Sequence, residues 1–194
     1  MPQPNENEHC TYADYLLLDE NSERMEIIDG KVVMMSRPTA AHQSISFELG
    51  RQLGNFLLGK QCRAFAAPFD VRLFEKEGDK PENVDTVVQP DIFVVCDKNK
   101  IDNRGCKGAP NLVIEILSPT TYRHDCLVKL NLYLRAGVPE YWLVDPEEKT
   151  VLVYLLGNDG TYHISKHYTR NDIAAVSVLE GCSIELSKVF ADIE

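Results

Sequence analysis

Hydrophobic and polar positions alternate along the chain in patterns that predict both strands and helices. The segment "MEIIDGKVVMM" places Asp29 and Gly30 between two apolar runs. Asp-Gly adopts the positive φ angles of a type I′ turn with little strain, so this pattern predicts a β-hairpin. Upstream, "TYADYLLLDE" begins with Thr11, a good helix N-cap, ahead of an apolar stretch. A short helix is therefore predicted before the hairpin.

Two longer segments carry apolar residues at helical spacing. In "TAAHQSISFELGRQLGNFLL" five apolar side chains recur every one to four positions with polar residues between them, namely Ile45, Leu49, Leu53, Phe56 and Leu57. Further along, Ser118 and Pro119 mark a helix start, and three leucines recur on one face at positions 127, 130 and 134. Each segment is predicted to form a long helix, and the second is predicted to end near Gly137.

The remaining apolar runs are typical of strands. They include "CRAFAAPFDVRLF", "TVVQPDIFVVC", "NLVIEILS", "EYWLVD", "VLVYLL", "TYHISKHYT" and "SIELS". The near-continuous apolar character of "NLVIEILS" predicts a strand that is buried on both faces. The order of these elements predicts an α/β or α+β fold, with a mixed central β-sheet flanked by helices and an N-terminal β-hairpin.

Length and composition fit a single domain. The chain has 194 residues, of which 44% are hydrophobic, and domains typically contain about 100 to 200 residues. We expect residues 1–24 to form a leader with the short helix, and residues 25–194 to form the domain. The polar start "MPQPNENEHC" lacks a basic n-region and an apolar h-region, and no apolar run approaches the ~18 residues of a membrane span. The expected location is the cytoplasm, without membrane association.

The six cysteines show no C-x-x-C pair and none of the spacings of a zinc site. We expect them to be reduced thiols. The chain has 30 acidic and 20 basic side chains, which give a formal net charge of -10. This charge opposes non-specific attraction to nucleic acid or to an anionic membrane. A polyanionic substrate would therefore need a local basic patch or a metal ion.

Two acids interrupt strands that are otherwise apolar. Asp91 directly follows Pro90, a residue that favours a strand start, an edge or a bulge, and Glu115 lies inside "LVIEIL". Two carboxylates brought together repel each other unless a cation lies between them. Mg²⁺ is usually held by one or two carboxylates and keeps water ligands, so the pair predicts a metal site. A turn-forming aspartate and a strand-end salt bridge are the structural alternatives.

The helix after Glu115 offers a cation for the same site. On a 3.6-residue period one stripe contains Tyr122, Asp125, Lys129 and Tyr133, away from the leucine face. Lys129 can then point toward the C-terminal part of the Glu115 strand and neutralise charge on a phosphate. The alternative is a solvent-exposed ion pair between Lys129 and Asp125.

These residues lie within segments that carry a family resemblance. The segments are "MEIIDGKVVMMS", "HQSISFELGRQL", "VQPDIFVV", "GAPNLVIEILSPTT" and "KLNLYLRAGVPEYWLVDPEEKTV". In this order, from about Met25 to Val153, they resemble the Uma2 family of restriction-endonuclease-like proteins with a PD-(D/E)XK nuclease core. The resemblance implies that Asp91 and Glu115 are the two acids of the motif and that they bind Mg²⁺ or Mn²⁺. Leu117 occupies the position of the motif's lysine, and the family similarly has a lysine displaced to the following helix, which Lys129 matches.

The resemblance also suggests supporting residues. Glu26 matches an acid before the family's I-D-G turn and is expected to complete the acidic cluster. His42 is expected either to contact a phosphate or water in the site, or to be a capping or surface residue. Asp125 is a candidate for holding Lys129 in place, and Tyr133 either lines the site or packs in the core.

The leading functional hypothesis is a metal-dependent endonuclease that hydrolyses phosphodiester bonds of DNA. Because the chain is acidic, we expect weak DNA binding by the protein alone, a homodimer with a shared basic groove, or a partner that delivers the DNA. The candidate groove residues are Arg37, Arg51, Arg63, Arg104, Lys107 and Arg123. The alternative is a catalytically inactive nuclease-fold module that binds DNA or protein, linked to mobile elements. A metal-free hydrolase with two carboxylates leaves Lys129 without a role.

Overall fold

The computed structural model describes residues 9–17, 24–118, 124–191 and 193, without the side chains of residues 124–126. Four α-helices are present in this part of the chain: α1 (Tyr12–Tyr15), α2 (Ala40–Leu57), α3 (Leu130–Ala136) and α4 (Leu186–Val189). A π-helical turn at His124–Lys129 precedes α3, and short 3₁₀ turns occupy Pro81–Asn83 and Lys98–Lys100.

Thirteen strands are described. They are β1 (Met25–Ile28), β2 (Lys31–Met34), β3 (Arg63–Ala66), β4 (Asp70–Arg72), β5 (Ile92–Val95), β6 (Ile101–Asp102), β7 (Gly105–Lys107), β8 (Leu112–Ile116), β9 (Glu140–Asp145), β10 (Thr150–Leu156), β11 (Tyr162–Thr169), β12 (Ile173–Ala175) and β13 (Ser183–Glu185). Six of them form the central sheet in the order β11-β10-β9-β8-β5-β3. Strands β8 and β9 are parallel and the other neighbours are antiparallel, so the sheet is mixed, as predicted.

Alternating side chains divide the core between the two faces of this sheet. Ile92 of β5 and Ile114 of β8 point to the face that packs against α2 and the C-terminal segment. Phe93 and Val113 point to the opposite face, which packs against α3 and a small sheet of β4, β7 and β6. All five residues of β8 are buried, which confirms the prediction of a strand covered on both faces.

Local turn and cap chemistry produces the predicted boundaries. Asp29 and Gly30 have φ angles of 49° and 76°, as a type I′ turn between β1 and β2 requires. The Thr39 side chain accepts a hydrogen bond from the His42 backbone N–H and caps α2. Helix α3 ends at Gly137 in the left-handed conformation.

The buried face of the second long helix differs from the predicted one. Lys129, Leu132 and Tyr133 are buried, whereas Leu127 is 59% exposed. The π-helical turn inserts an extra residue into the helical repeat, and this rotates the following side chains relative to a regular 3.6-residue pattern. The leucine face is therefore not the buried face. Pro119, which marks the predicted start, lies outside the described residues.

The expectation of reduced thiols is wrong for one pair of cysteines. Cys62 and Cys96 form a disulfide between the ends of β3 and β5, with their Cα atoms 3.8 Å apart. The strand register pairs Arg63 with Val95, so the two cysteines lie directly across from each other. Their separation of 34 residues gives no local sequence signal for this pairing. The thiols of the described Cys10, Cys106 and Cys182 are free and buried.

No helix in the described part of the chain combines the length and the apolar character that a membrane span requires.

Candidate active site

The two strand acids lie side by side because β5 and β8 are antiparallel. Ile92 pairs with Ile114, so the start of β5, where Asp91 lies, meets the end of β8, where Glu115 lies. The Asp91 backbone N–H contacts Oε2 of Glu115 at 3.4 Å, and the Ile116 backbone N–H donates to Oδ2 of Asp91 at 2.8 Å. These contacts hold the two carboxylates at the same edge of the sheet.

Lys129 lies between two buried carboxylates. Its Nζ donates to Oε1 of Glu26 at 3.0 Å and to Oε1 of Glu115 at 2.9 Å. The three side chains are only 2–4% exposed. A buried charge without a partner is strongly unfavourable, so each charge in this cluster depends on the others. Lys129 is the last residue of the π-helical turn, and its side chain points inward to these two carboxylates.

Tyr133 and Gln89 complete the hydrogen bonds of this cluster. The Tyr133 hydroxyl donates to Oε1 of Glu115 at 2.6 Å, and the Gln89 backbone N–H donates to Oε1 of Glu26 at 2.9 Å. Burial, and then the nearby Glu115 and Glu26 carboxylates, raises the pKa of Tyr133 well above its usual value. Tyr133 therefore keeps its proton at neutral pH and acts as a donor to Glu115.

His42 reaches the site from the other face of the sheet. It lies in the first turn of α2, and its Nε2 is 3.0 Å from Oδ2 of Asp91. Its side chain is 13% exposed. Among the described residues, Nδ1 of His42 is the one buried side-chain nitrogen or oxygen without a hydrogen-bond partner. The backbone of His42 thus belongs to the helix cap while its imidazole faces the candidate site.

The charges of the cluster favour a cation. The described side chains of the site carry three carboxylates, at Glu26, Asp91 and Glu115, and one ammonium group, at Lys129. These carboxylates and the ammonium leave two negative charges in excess in a mostly buried site, and a divalent cation would balance them.

The described part of the chain contains no group of three His, Cys, Asp or Glu residues arranged to hold a metal. Mg²⁺ is nevertheless commonly held by one or two carboxylates together with water. The Asp91 and Glu115 carboxylates, which lie side by side at the same edge of the sheet, match that donor set.

The structure brings together most of the residues that the sequence singled out. They are Glu26, His42, Asp91, Glu115, Lys129 and Tyr133. The side chain of Asp125 lies outside the described residues. Sequence reasoning missed Gln89, which fixes Glu26 through its backbone and contacts Arg24 through its side chain. A polar residue inside the apolar run "TVVQPDIFVV" was the available signal, the same signal that singled out Glu115.

Comparison with known proteins identifies similar chains. The family model described as "Uma2: Putative restriction endonuclease" matches residues 12–187. Two uncharacterized proteins of Synechocystis sp. are similar. The protein slr1290 is 25% identical over 167 residues, which cover 85% of this chain and 84% of that protein. The protein sll1609 is 27% identical over 139 residues, which cover 70% of this chain and 74% of that protein.

A solved structure is also similar. The crystal structure of a protein from Anabaena variabilis ATCC 29413, described as a putative nuclease belonging to DUF820, superposes with a TM-score of 0.72. The match covers 93% of this chain and 97% of that chain at 23% sequence identity. At this identity the likeness concerns the fold, and it confirms the predicted restriction-endonuclease-like core.

Proposed function

Because the chain belongs to the Uma2 family, whose model is described as a putative restriction endonuclease, we propose that it hydrolyses phosphodiester bonds of DNA with a divalent cation. Membership of this family supports nuclease activity. The DNA substrate, the cation and the residue roles are the finer parts of the proposal.

The position of Lys129 is the observation that carries the proposal. Leu117 occupies the place of the motif's lysine and is buried in the core. Lys129 places an ammonium group 2.9 Å from Glu115 from the following helix instead. Besides Glu26, the cluster therefore contains the two acids of the motif and a lysine, a set of charges that suits metal-dependent phosphodiester hydrolysis.

Each side chain has a proposed role. Asp91 and Glu115 would hold Mg²⁺ or Mn²⁺, which when bound polarises the phosphate and activates a water molecule. Lys129 neutralises negative charge that develops on the phosphate oxygens. Glu26 holds the Lys129 ammonium beside Glu115, and His42 orients the Asp91 carboxylate through its contact with Oδ2.

The remaining site residues support Glu115 and Lys129. Tyr133 fixes the Glu115 carboxylate through its hydroxyl. A role for Asp125 in holding Lys129 stays a prediction, as does a homodimer.

A cleavage assay tests this proposal. Supercoiled plasmid, linear duplex DNA and single-stranded DNA are incubated with the protein in Mg²⁺, in Mn²⁺ and in EDTA. We expect cleavage only with a divalent cation, and a loss of about 10²-fold or more in Asp91→Asn, Glu115→Gln and Lys129→Met. Asp159→Asn serves as the matched control because Asp159 is exposed and lies outside the site.

Circular dichroism of each variant establishes that it is folded. Absence of cleavage by the folded wild-type protein under all conditions would overturn the proposal and favour the non-catalytic binding module. Wild-type rates in the three site variants would overturn the assigned roles.

A further inference from the structure

A groove of about 980 Å³ lies between α2 and the edge strand β3. One end of the groove is lined by His42 and Asp91, so the groove reaches the Asp91 side of the candidate active site. Its far end is formed by Leu58 and Lys60, just beyond the end of α2. The groove is therefore an extended channel that leads to the proposed catalytic carboxylate.

The groove exists because nothing large fills the space beside β3. Strand β3 is the last strand of the central sheet, so no described strand covers its outer edge. On α2 the groove side carries Ser46, Gly50 and Gly54, and a Cβ atom at either glycine would meet nothing within 4 Å. Glycine destabilises a helix interior relative to alanine. Helix stability alone therefore does not explain two glycines at these positions.

The charge of the groove is opposite to that of the whole chain. Its described lining residues include four cationic side chains, at Arg24, Arg51, Lys60 and Arg63, and one acidic side chain, at Asp91. The chain as a whole has a formal net charge of -10. A groove with this local excess of positive charge attracts a polyanion.

Two of these cations interact with neighbouring side chains and still line the groove. Arg51 is exposed and pairs with the partly buried Glu48 at 2.6 Å, and an ion pair at the surface contributes little free energy, so Arg51 can exchange this partner for a phosphate. Lys60 lies over the Phe56 ring. The predicted basic set contributes only in part. Arg51 and Arg63 line the groove, whereas Lys107 lies in the small sheet, near Glu75 and Asp102.

Apolar side chains at the groove favour a single strand over a duplex. Phe47 is 74% exposed and Leu58 is 86% exposed, and both line the groove. Bases of a single strand stack on exposed aromatic rings, while a basic groove follows the phosphates. Bases of a duplex are paired and stacked within the helix and do not offer these faces.

We propose that the groove between α2 and β3 binds single-stranded DNA and leads one phosphodiester to Asp91. The phosphates follow the cations of the groove and a base stacks on Phe47. Delivery to Asp91 rests on the proposed nuclease function, whereas strand binding does not depend on it.

Fluorescence anisotropy in EDTA tests the binding without cleavage. The probe is a labelled single-stranded DNA of about 16 nucleotides, compared with a duplex of the same sequence. We expect the single strand to bind at least tenfold more tightly than the duplex. Higher salt should weaken binding. A plot of the logarithm of the binding constant against the logarithm of the salt concentration should have a slope of about -0.7 for each phosphate contact.

Matched variants locate the binding in the groove. Gly54→Glu places a negative side chain in the open space, whereas Asn55→Glu makes the neighbouring change on the same helix outside the groove. We expect Gly54→Glu to weaken single-strand binding at least tenfold and Asn55→Glu to change it less than twofold. Phe47→Ala should weaken single-strand binding about tenfold. Arg63→Gln removes a cation of the groove from strand β3 and should also weaken this binding. Thermal melting establishes that each variant is folded.

The outcomes separate this inference from the proposed function. Equal binding of duplex and single strand, or equal binding by Gly54→Glu and Asn55→Glu, would overturn the inference. A change in sedimentation of Gly54→Glu without a change in DNA binding would also overturn it, because the groove would then hold a second copy of the chain. Groove-dependent binding without metal-dependent cleavage would support the inference and overturn the proposed function.

Discussion

Replacing Lys129 by methionine removes the ammonium group between the Glu26 and Glu115 carboxylates. Both carboxylates are almost fully buried, at 2% and 4% exposed. Removing one partner from a buried ion pair costs about 3–5 kcal/mol, because the remaining charge has no compensation. The repulsion gives a similar value. Oε1 of Glu26 and Oε1 of Glu115 lie 3.0 Å and 2.9 Å from Nζ of Lys129, so the two oxygens are at most about 6 Å apart. Two like charges at this distance repel each other by about 3 kcal/mol at an effective dielectric constant of ~20.

Urea unfolding in EDTA, followed by circular dichroism, measures this loss. We expect the free energy of unfolding of Lys129→Met to fall by about 3 to 5 kcal/mol at neutral pH with an unchanged m-value. Adding Glu26→Gln to this variant should restore part of the loss, because it removes one of the two repelling charges. Mg²⁺ should stabilise Lys129→Met more than the wild-type protein, because a cation that binds the folded state replaces the missing charge.

Lys76→Met is the matched control. Lys76 is exposed in a loop, so its replacement should change the free energy of unfolding by less than about 0.5 kcal/mol. A loss below about 1 kcal/mol in Lys129→Met, with no gain from the added Glu26→Gln change, would refute the reasoning. Lys129 would then not balance the two buried carboxylates.

Three further outcomes follow from the structure. Tyr133→Phe removes the donor to Glu115 and should lower the free energy of unfolding by about 1.5 to 3 kcal/mol in urea titrations. Glu140→Gln should cost about 1 to 3 kcal/mol, because the two oxygens of fully buried Glu140 accept from the Val178 backbone N–H and the Trp142 indole N–H, and the amide NH₂ of glutamine cannot accept in place of one of them. Burial raises the pKa of Glu140 above its usual 4.5. The stability of the wild-type protein relative to this variant should therefore be greatest below pH 4.5 and decline as the pH rises through the folded-state pKa. Gly30→Ala should lower the free energy of unfolding by about 1 to 2 kcal/mol in thermal melts, because Gly30 has a positive φ angle.

The parts of the fold that depend on local chemistry are predictable from the sequence. The hairpin depends on the turn residues Asp29 and Gly30, and helix α2 depends on its cap and apolar spacing. The disulfide between Cys62 and Cys96 depends on strand register, and no local pattern encodes register between distant strands. The phase of α3 depends on a π-helical turn that a regular period does not include.

The candidate site is predictable to a similar extent. Asp91 and Glu115 are conspicuous because each interrupts an apolar run, and antiparallel pairing of their strands brings them together. Lys129 follows from its place on the next helix. Gln89 and the groove beside β3 are not predictable in this way, because they arise from how the hairpin, α2 and the sheet edge pack.

X-ray diffraction from crystals soaked in Mn²⁺ tests the central claim most directly, because anomalous scattering locates the ion. We expect one strong anomalous peak in contact with carboxylate oxygens of both Asp91 and Glu115, with the Lys129 ammonium still beside Glu115. Crystals of Asp91→Asn soaked in the same way should lack this peak. A peak elsewhere on the molecule, or the same peak in Asp91→Asn, would contradict a metal-dependent site built on these two acids.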